Sequence, residues 1–517
     1  MRSRYDAIVI GSGHNGLVCA NYLAAAGWKV LVVERRGVIG GAVCTEEMFG
    51  GYKIDIGSSV HLMIHHTPII KDLRLADFGL EYIEMDPWAS FPLENGKTLS
   101  FYRDLGRTCE SIRQVSISDA AAYERFIHSW GPVTEGVFKV FQEPPTLAAF
   151  GRHVILAKSP GEGTIDGLKQ IMMGYGRLLR ETFESSEMRA ALGWLAAQSG
   201  PPPSEPGGGP FAGWHAAVHK FGAKRARGGS GMLSVALGRA IEASGGEIVT
   251  DAPVERIIVE QNGKASGIIL QSGEVIYAKK IVSACHIVTT FKTLLLEADL
   301  TPEMGRQISA LNIGNGFGMT VRCAADALPD YGGGTPAEMH NGMQLLCPTL
   351  DYLVQAHGDY AGGTPSKQPA VLAMTFSAID PTLAPPGKHV VQLWSQYFPY
   401  QRSDGRFWDD AAREEAAESI LQTLYKYAPN MRKAITAKHI QSPLDLERTL
   451  GLLHGNVMHL EMSLDQMFAM RPLPDLANYR SPIGGLYLTG ASMHPGGGVF
   501  GASGRSTARV MIGDGRG

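Results

Sequence analysis

A buried-type strand, glycine turn, helix and second strand fill residues 5–34. A glycine-rich return with a strand hairpin follows at 228–284, and the chain closes with a strand, a glycine turn and a helix after 484. Together these predict an α/β fold: a Rossmann-like nucleotide-binding domain in three pieces, with a discontinuous α+β domain built from the intervening chain. The first domain takes residues 1–57, 226–311 and 481–517, and the second takes 58–225 and 312–480. At 517 residues the chain is long enough to bury two cores.

The N-terminal piece is the most specific. Tyr5 to Ile10 has the length and apolarity of a buried strand. Gly11-Ser12-Gly13-His14-Asn15-Gly16 is a G-x-G-x-x-G turn, and it opens a helix with an apolar stripe at Leu17, Ala20, Leu23 and Ala24. Gly27 ends that helix, and Val30 to Val33 form the next strand, closed by Glu34. Gly11 permits a sharp exit from the strand, Gly13 removes a side chain that would hold a pyrophosphate off the helix start, and Gly16 lets helix and sheet lie close. Free N–H groups of the first helical turn then face two phosphates, and Glu34 stands where an acid accepts ribose hydroxyls.

The residues after Glu34 separate a flavin from a nicotinamide. Arg35, Arg36, Gly40, Gly41, Thr45, Asp55 and Gly57 continue a glycine-rich path in place of an immediate next βα unit, so that backbone lies along an extended cofactor. An acid ending the second strand also disfavours a 2′-phosphate at that ribose, because like charges would meet without compensation. One of Arg35 and Arg36 is expected near the adenine or in solvent.

Composition excludes several classes. With 47 basic and 50 acidic side chains the formal charge is −3, which gives no general reason for nucleic-acid binding, and the short cluster Lys224, Arg225, Arg227 is expected on a solvated loop. Six cysteines sit singly, with no C-x-x-C pair and no Cys/His cluster of zinc spacing, so neither a dithiol redox centre nor a metal site is expected. No apolar signal segment precedes the first strand and no apolar run is long enough for a bilayer, which makes the cytoplasm the expected location.

From 58 to 225 the chain mixes helical stretches with Pro201-Pro202-Pro203 and Gly207-Gly208-Gly209, the latter expected as an exposed loop or flexible crossing. Gly228-Gly229-Ser230-Gly231 then precedes a helix through Leu237 and Ile241 and a strand from Glu247 to Thr250. Val254 to Glu260 and Ala265 to Leu270 pair around Asn262-Gly263, and Ile276 to Ala284 returns to the core. Backbone near Val254 is available to an adenine edge. Phe317 to Val321, Ala370 to Phe376 and Val390 to Tyr397 read as strands, and Asp409 to Tyr427 reads as a helix with acids at its start and Lys426 at its end. Gly484 to Gly490 is a strand running into a glycine. The turn Ala491-Ser492-Met493-His494-Pro495-Gly496-Gly497-Gly498-Val499-Phe500 follows, then a helical run from Arg505 to Ile512. Glycine is needed in that turn because a Cβ would block a planar ring, and a second helix start beside it suits negative charge on a pyrophosphate or a reduced flavin.

These stretches resemble the phytoene dehydrogenase-like group of FAD-dependent oxidoreductases, within the amine oxidase and carotenoid desaturase superfamily. The matching pieces are residues 11–36, 40–47, 228–233 and 484–504. Residues 455–459 and the run RPLPDLANYRSPI resemble the branch labelled pyridine nucleotide-disulfide oxidoreductase domain proteins. The resemblance implies non-covalent FAD that takes two electrons, usually as hydride, from a substrate carbon. By position it assigns FAD contacts to Gly11, Ser12, Gly13, Asn15, Gly16, Glu34, Arg35, Gly40, Gly41, Ala42, Val254, Gly490, Gly498 and Val499. There is no second G-x-G-x-x-G with its own ribose acid, so no built-in NAD(P)H domain is expected, and the flavin is reduced by its substrate.

A flavin needs a substrate C–H held over N5, at times a base for a second proton, and exclusion of water. The polar candidates are His494 beside the glycine turn, then His454, Asn456, His459 and Glu461 in the segment leading to it; His494, His459 and Asn456 are the nominated catalytic residues, each with a structural role as the alternative. Tyr397 is a candidate pocket wall or core aromatic. Met172, Met173, Met458, Met462, Met467 and Met470 are candidates for a pliable lining, though helical core packing explains them equally. The first functional expectation is therefore a dehydrogenase or desaturase of an apolar, polyene or lipid-like substrate, with oxygen or a quinone as electron acceptor and a shallow membrane contact if the entrance is apolar. An amine oxidase or other C–N or C–O oxidase is the second, and a non-enzymatic FAD-containing interaction protein the third. The sequence assigns no oligomeric state.

Overall fold

The computed structural model describes residues 5–93, 96–155, 164–333 and 336–516. Five parallel strands form one sheet in the spatial order Glu247–Val249, Val30–Val33, Tyr5–Ile10, Val275–Ser283 and Leu486–Leu488. In chain order these are third, second, first, fourth and fifth, the order of a doubly wound nucleotide fold. Strands covered on both faces read as continuous apolar runs, which is why Ala7 and Val9 pack into one core while Ile8 and Ile10 pack into the other. The first core is closed by the helices His14–Ala25, Met232–Ala243 and Ala502–Asp514. The second is closed by the hairpin Val254–Val259 and Ala265–Leu270, which continues antiparallel into the first half of Val275–Ser283.

Gly16 shows how tightly the first helix is seated. A Cβ there would overlap the Gly11 carbonyl oxygen and lie 2.9 Å from the Ala284 Cβ, both parts of the sheet's end. Gly16→Ala is expected to destabilise the fold by roughly 1–3 kcal/mol, as overpacking does, read as a lower Tm with or without flavin.

A second, seven-stranded sheet runs Ile435–Gln441, Gly316–Ala325, His389–Pro399, Ala370–Met374, Met343–Leu346, Ala89–Pro92 and Thr98–Phe101. Its pairs are antiparallel except for the parallel join of Met343–Leu346 to Ala89–Pro92. Side chains alternate between its faces. Met319, Val321, Cys323, Val371 and Val391 pack under the helix Asp410–Tyr427, whereas Thr320, Arg322, Leu372, Met374, Gln392 and Trp394 face the other way and line a cavity. That helix begins as expected, with the Asp409 carboxylate accepting the Ala412 N–H at 2.8 Å.

Two expectations are corrected. The Gly207 to Gly209 run is no exposed crossing. Pro201, Pro203, Gly207, Gly208 and Gly209 are buried, and the Gly207 and Gly209 N–H groups donate to the Met172 and Met173 carbonyls at 2.9 and 2.8 Å. Glycine serves close approach here, because a Cβ on Gly209 would overlap the Gln170 carbonyl oxygen. Nor is the basic cluster a solvated loop. Arg225 lies on the strand Ala223–Ala226, 1 % exposed, 3.5 Å from the Asp55 carboxylate and stacked over Phe376. Among the described residues no helix is long and apolar enough to cross a membrane.

Candidate active site between the two sheets

A cavity of about 810 Å³ runs from the ends of the parallel strands to the inner face of the second sheet. At one end lies the first helix start. The helix His14–Ala25 begins at Gly13 with no side-chain cap and no acid in its first turn, so its orphan N–H groups and positive dipole end are left for an anion. A Cβ on Gly13 would meet no atom within 4 Å, while one on Gly41 would sit 3.2 Å from Gly13 itself. The strip Gly40-Gly41-Ala42 is thus held against the turn, with the Gly40 N–H donating to the Ser12 carbonyl at 3.0 Å.

Glu34 is 7 % exposed and borders the cavity. Its Oε2 accepts the Ser12 N–H at 2.9 Å and the Ser12 hydroxyl at 2.7 Å, and its Oε1 accepts the Arg36 N–H at 3.0 Å. A carboxylate has about four acceptor sites, so Oε1 keeps one for a hydroxyl in the cavity. Ser12 therefore acts by orienting Glu34 and does not itself line the cavity; Gly40 is likewise set behind it. Arg35 reaches across to the Arg448 and Thr449 carbonyls at 3.4 and 3.1 Å, and Arg36 pairs with Glu46. Gly11, Gly13, Asn15, Gly16, Arg35, Gly41, Ala42, Val254, Gly490, Gly498 and Val499 all border the cavity, so the structure gathers onto one wall residues separated by up to 488 positions (499 − 11). Asn15 joins the two helix starts, its Oδ1 accepting the Gly504 N–H at 3.4 Å.

The nominated catalytic residues divide. His459 borders the cavity in a left-handed conformation (φ 66°), with its ring stacked on His286 and Nδ1 2.9 Å from the Ser492 hydroxyl. Burial holds its pKa well below the usual histidine value, so the ring is neutral at pH 7. His494 and Asn456 do not reach the cavity. His494 sits behind the glycine turn between Phe141 and Phe468, with Nε2 3.0 Å from the Val140 carbonyl and a pKa lowered by burial to about 4. Asn456 donates to the Ile313 carbonyl at 2.7 Å and accepts the Met458 N–H at 2.8 Å, which shapes the turn carrying His459. His494→Phe is expected to remove one of the two hydrogen bonds on the Val140 carbonyl, which keeps the Glu143 N–H, at a cost of roughly 0.5–1.5 kcal/mol, read as a lower Tm, with the rate of flavin reduction unchanged.

The far end of the cavity is apolar and aromatic, with Leu195, Trp214, Phe317, Leu372 and Trp394 on its walls. Of the candidate methionines only Met458 borders it, because Met173, Met462 and Met467 are buried in packing and Met172 and Met470 are exposed. Tyr397 is a core aromatic against His357 and Tyr360.

One constellation had no sequence signal. Ser58 borders the cavity, its Oγ 2.6 Å from the Ser230 Oγ; Ser230 Oγ lies 2.8 Å from His61 Nε2, and His61 Nδ1 lies 2.9 Å from the Tyr82 hydroxyl. Serine in G-S-S or G-S-G marks only a turn; no local spacing reveals that residues 58, 61, 82 and 230 form one hydrogen-bonded line.

An uncapped helix start facing open space, an acid with a spare acceptor site and glycines where a side chain would fill the cavity fit a dinucleotide of the flavin type. Fold and site thus define a flavin-dependent oxidoreductase. The model for flavin-containing amine oxidoreductases matches residues 16–512, and the chain belongs to that family. It is 33 % identical to pyridine nucleotide-disulfide oxidoreductase domain-containing protein 2 of Mus musculus, over 99 % of this chain and 94 % of that one. It is 28 % identical to one of the subunits of the limonene dehydrogenase of Castellaniella defragrans, over 98 % and 94 %. The fold is shared with cyclohexylamine oxidase from Brevibacterium oxydans at TM-score 0.57 and 19 % identity, covering 99 % of both chains.

Proposed function

We propose that the flavin is FAD, held without a covalent bond, and that the chain catalyses two-electron oxidation of a small molecule with a largely apolar body. The observation that carries this is the continuous cavity joining the phosphate-ready helix start to the aromatic floor of the second sheet. The first turn of His14–Ala25 would hold the pyrophosphate, Glu34 a ribose, and backbone at Val254, Gly490 and Val499 the rest. Bound FAD supplies a two-electron acceptor for hydride.

Desaturation of a polyene or lipid is the first expectation from sequence and oxidation at a carbon bearing nitrogen or oxygen the second. The second has the better support: the family model is that of amine oxidoreductases, and three aromatic walls, Trp214, Phe317 and Trp394, suit the apolar body of an amine or alcohol. A heteroatom of this kind also releases a proton when its carbon is oxidised, and the protein holds a route for one. Ser58 Oγ receives it at the cavity while giving its own proton to Ser230 Oγ, Ser230 in turn gives its own to His61 Nε2, and the ring then holds the proton while Nδ1 donates to the Tyr82 hydroxyl. His61 suits this role as a neutral ring, since burial keeps its pKa well below the usual value.

The test is anaerobic loss of oxidised-flavin absorbance across alcohols, amines, fatty acyl compounds and carotenoids. Rapid bleaching by an apolar amine or alcohol is the expected result; bleaching by carotenoids alone would favour desaturation instead, and no bleaching by any donor would favour an interaction protein. Reoxidation by oxygen or by a quinone then assigns the acceptor.

A further inference from the structure

The floor of the cavity carries a charge that neither hydride transfer nor the proton route uses. Arg322 lies on the strand Gly316–Ala325, 3 % exposed, with its side chain on the cavity face. Its Nη1 donates to the Thr320 hydroxyl and to the Gln441 Oε1, both at 2.6 Å, and its Nη2 donates to the Ile56 carbonyl. All three acceptors are neutral, and among the described residues no carboxylate lies within ion-pairing distance. Asp55, the acid whose charge it feels most, is already engaged by Thr45, Ser230 and Arg225. A guanidinium has five N–H donors; these contacts use three and leave Nε–H and one Nη2–H.

Directly opposite across the ladder stands Gln392, 6 % exposed and also on the cavity. Its Oε1 accepts the Ser59 hydroxyl at 2.7 Å, which turns its amide N–H₂ away from that contact and leaves it without an acceptor among the described residues. The two neighbours therefore present donors only, in a setting of Leu372, Met374 and Trp394. A buried cation without an anion is costly, and the sequence retains one where a methionine would pack. The missing partner is an anion with paired oxygens, which a guanidinium binds through two parallel N–H bonds. The cofactor's phosphates do not fill this role, because the uncapped helix start on the other sheet already answers them.

We propose that Arg322 and Gln392 form the anchor for a carboxylate on the substrate, whose apolar body lies along Trp394 and Leu372. This rests on the reading of the cavity as a substrate site beside a flavin. It narrows the substrate class to apolar amines or alcohols that also carry a carboxylate.

The test is calorimetric titration of the flavin-loaded protein with sodium decanoate, 1-decanol and decylamine. Decanoate is expected to bind at least ~10-fold tighter than decanol, as charge-assisted hydrogen bonds require, with decylamine weakest. Arg322→Gln is expected to abolish the preference with flavin content retained, Arg322→Lys to keep part of it, and Gln392→Leu to weaken decanoate alone. Should Arg322→Gln fail to fold, the Lys and Gln392 variants carry the same comparison. Equal binding of decanoate and decanol, tightest binding of decylamine, or a preference that survives in the variants would overturn the proposal, as would loss of flavin in place of loss of decanoate. A failure of the flavin reading shows separately, as protein without visible absorbance.

Discussion

Gly13→Leu is expected to yield folded protein that holds no flavin. The backbone at Gly13 has φ −56°, ordinary for any residue, and a side chain there would enter open space without striking its neighbours. Its helix start is otherwise ready for a phosphate pair, so a branched side chain displaces the pyrophosphate and little else. Charge-assisted contacts to N–H groups contribute roughly 1.5–3 kcal/mol each. Losing two of them and adding a steric block should weaken FAD binding by at least ~100-fold. Gly13→Ala should fall between. The measurement is flavin content with a parallel melting curve. Unchanged Tm with lost absorbance is the expected pair, and it separates Gly13 from Gly16, where the same methyl group strikes the sheet's end. Full flavin occupancy in Gly13→Leu would remove the pyrophosphate from this helix.

His61→Gln is expected to slow flavin reduction by about 100-fold, the scale of a lost proton-transfer group, with FAD content unchanged. The residue is fully buried and bonded at both ring nitrogens, to Ser230 and to Tyr82. Glutamine can occupy the space and keep a hydrogen bond to one neighbour, but its amide cannot take up a proton as the imidazole does. Ser58→Ala should slow the same step, since it removes the end of the line that borders the cavity. The pH dependence carries a sign. Because the folded-state pKa of His61 is lowered, the ring is neutral across the neutral range and charges only in acid. The wild-type rate should therefore stay level through neutral pH and fall as acid protonates the ring, and its solvent isotope effect should shrink in His61→Gln. A reductive rate unaffected in both variants would leave the line with a structural role.

The parts legible in sequence were those written locally. The run Tyr5 to Glu34 showed strand, turn, helix, strand and acid in order, and the structure sets each within a residue or two. The Asn262-Gly263 hairpin and the helix capped by Asp409 were as plain, because turn and cap chemistry act over a few residues. Burial of a charge was not legible. Arg225 looked like part of a surface cluster because the partners that bury it, Asp55 and Phe376, lie 170 and 151 positions away (225 − 55 and 376 − 225). His494 drew attention through its place beside the glycine turn, yet its ring turns toward Val140 on a distant helix and packs behind that turn. The edge strand Ile435–Gln441 carries too little apolar alternation to stand out, and its place is set by the strand Gly316–Ala325 that it flanks.

The most direct measurement is the visible spectrum and FAD stoichiometry of the purified chain, with added FAD titrated into whatever arrives empty. One FAD per chain, released intact on denaturation, is the expected result. Well-folded protein that is colourless and takes up no FAD would contradict the assignment of this cavity.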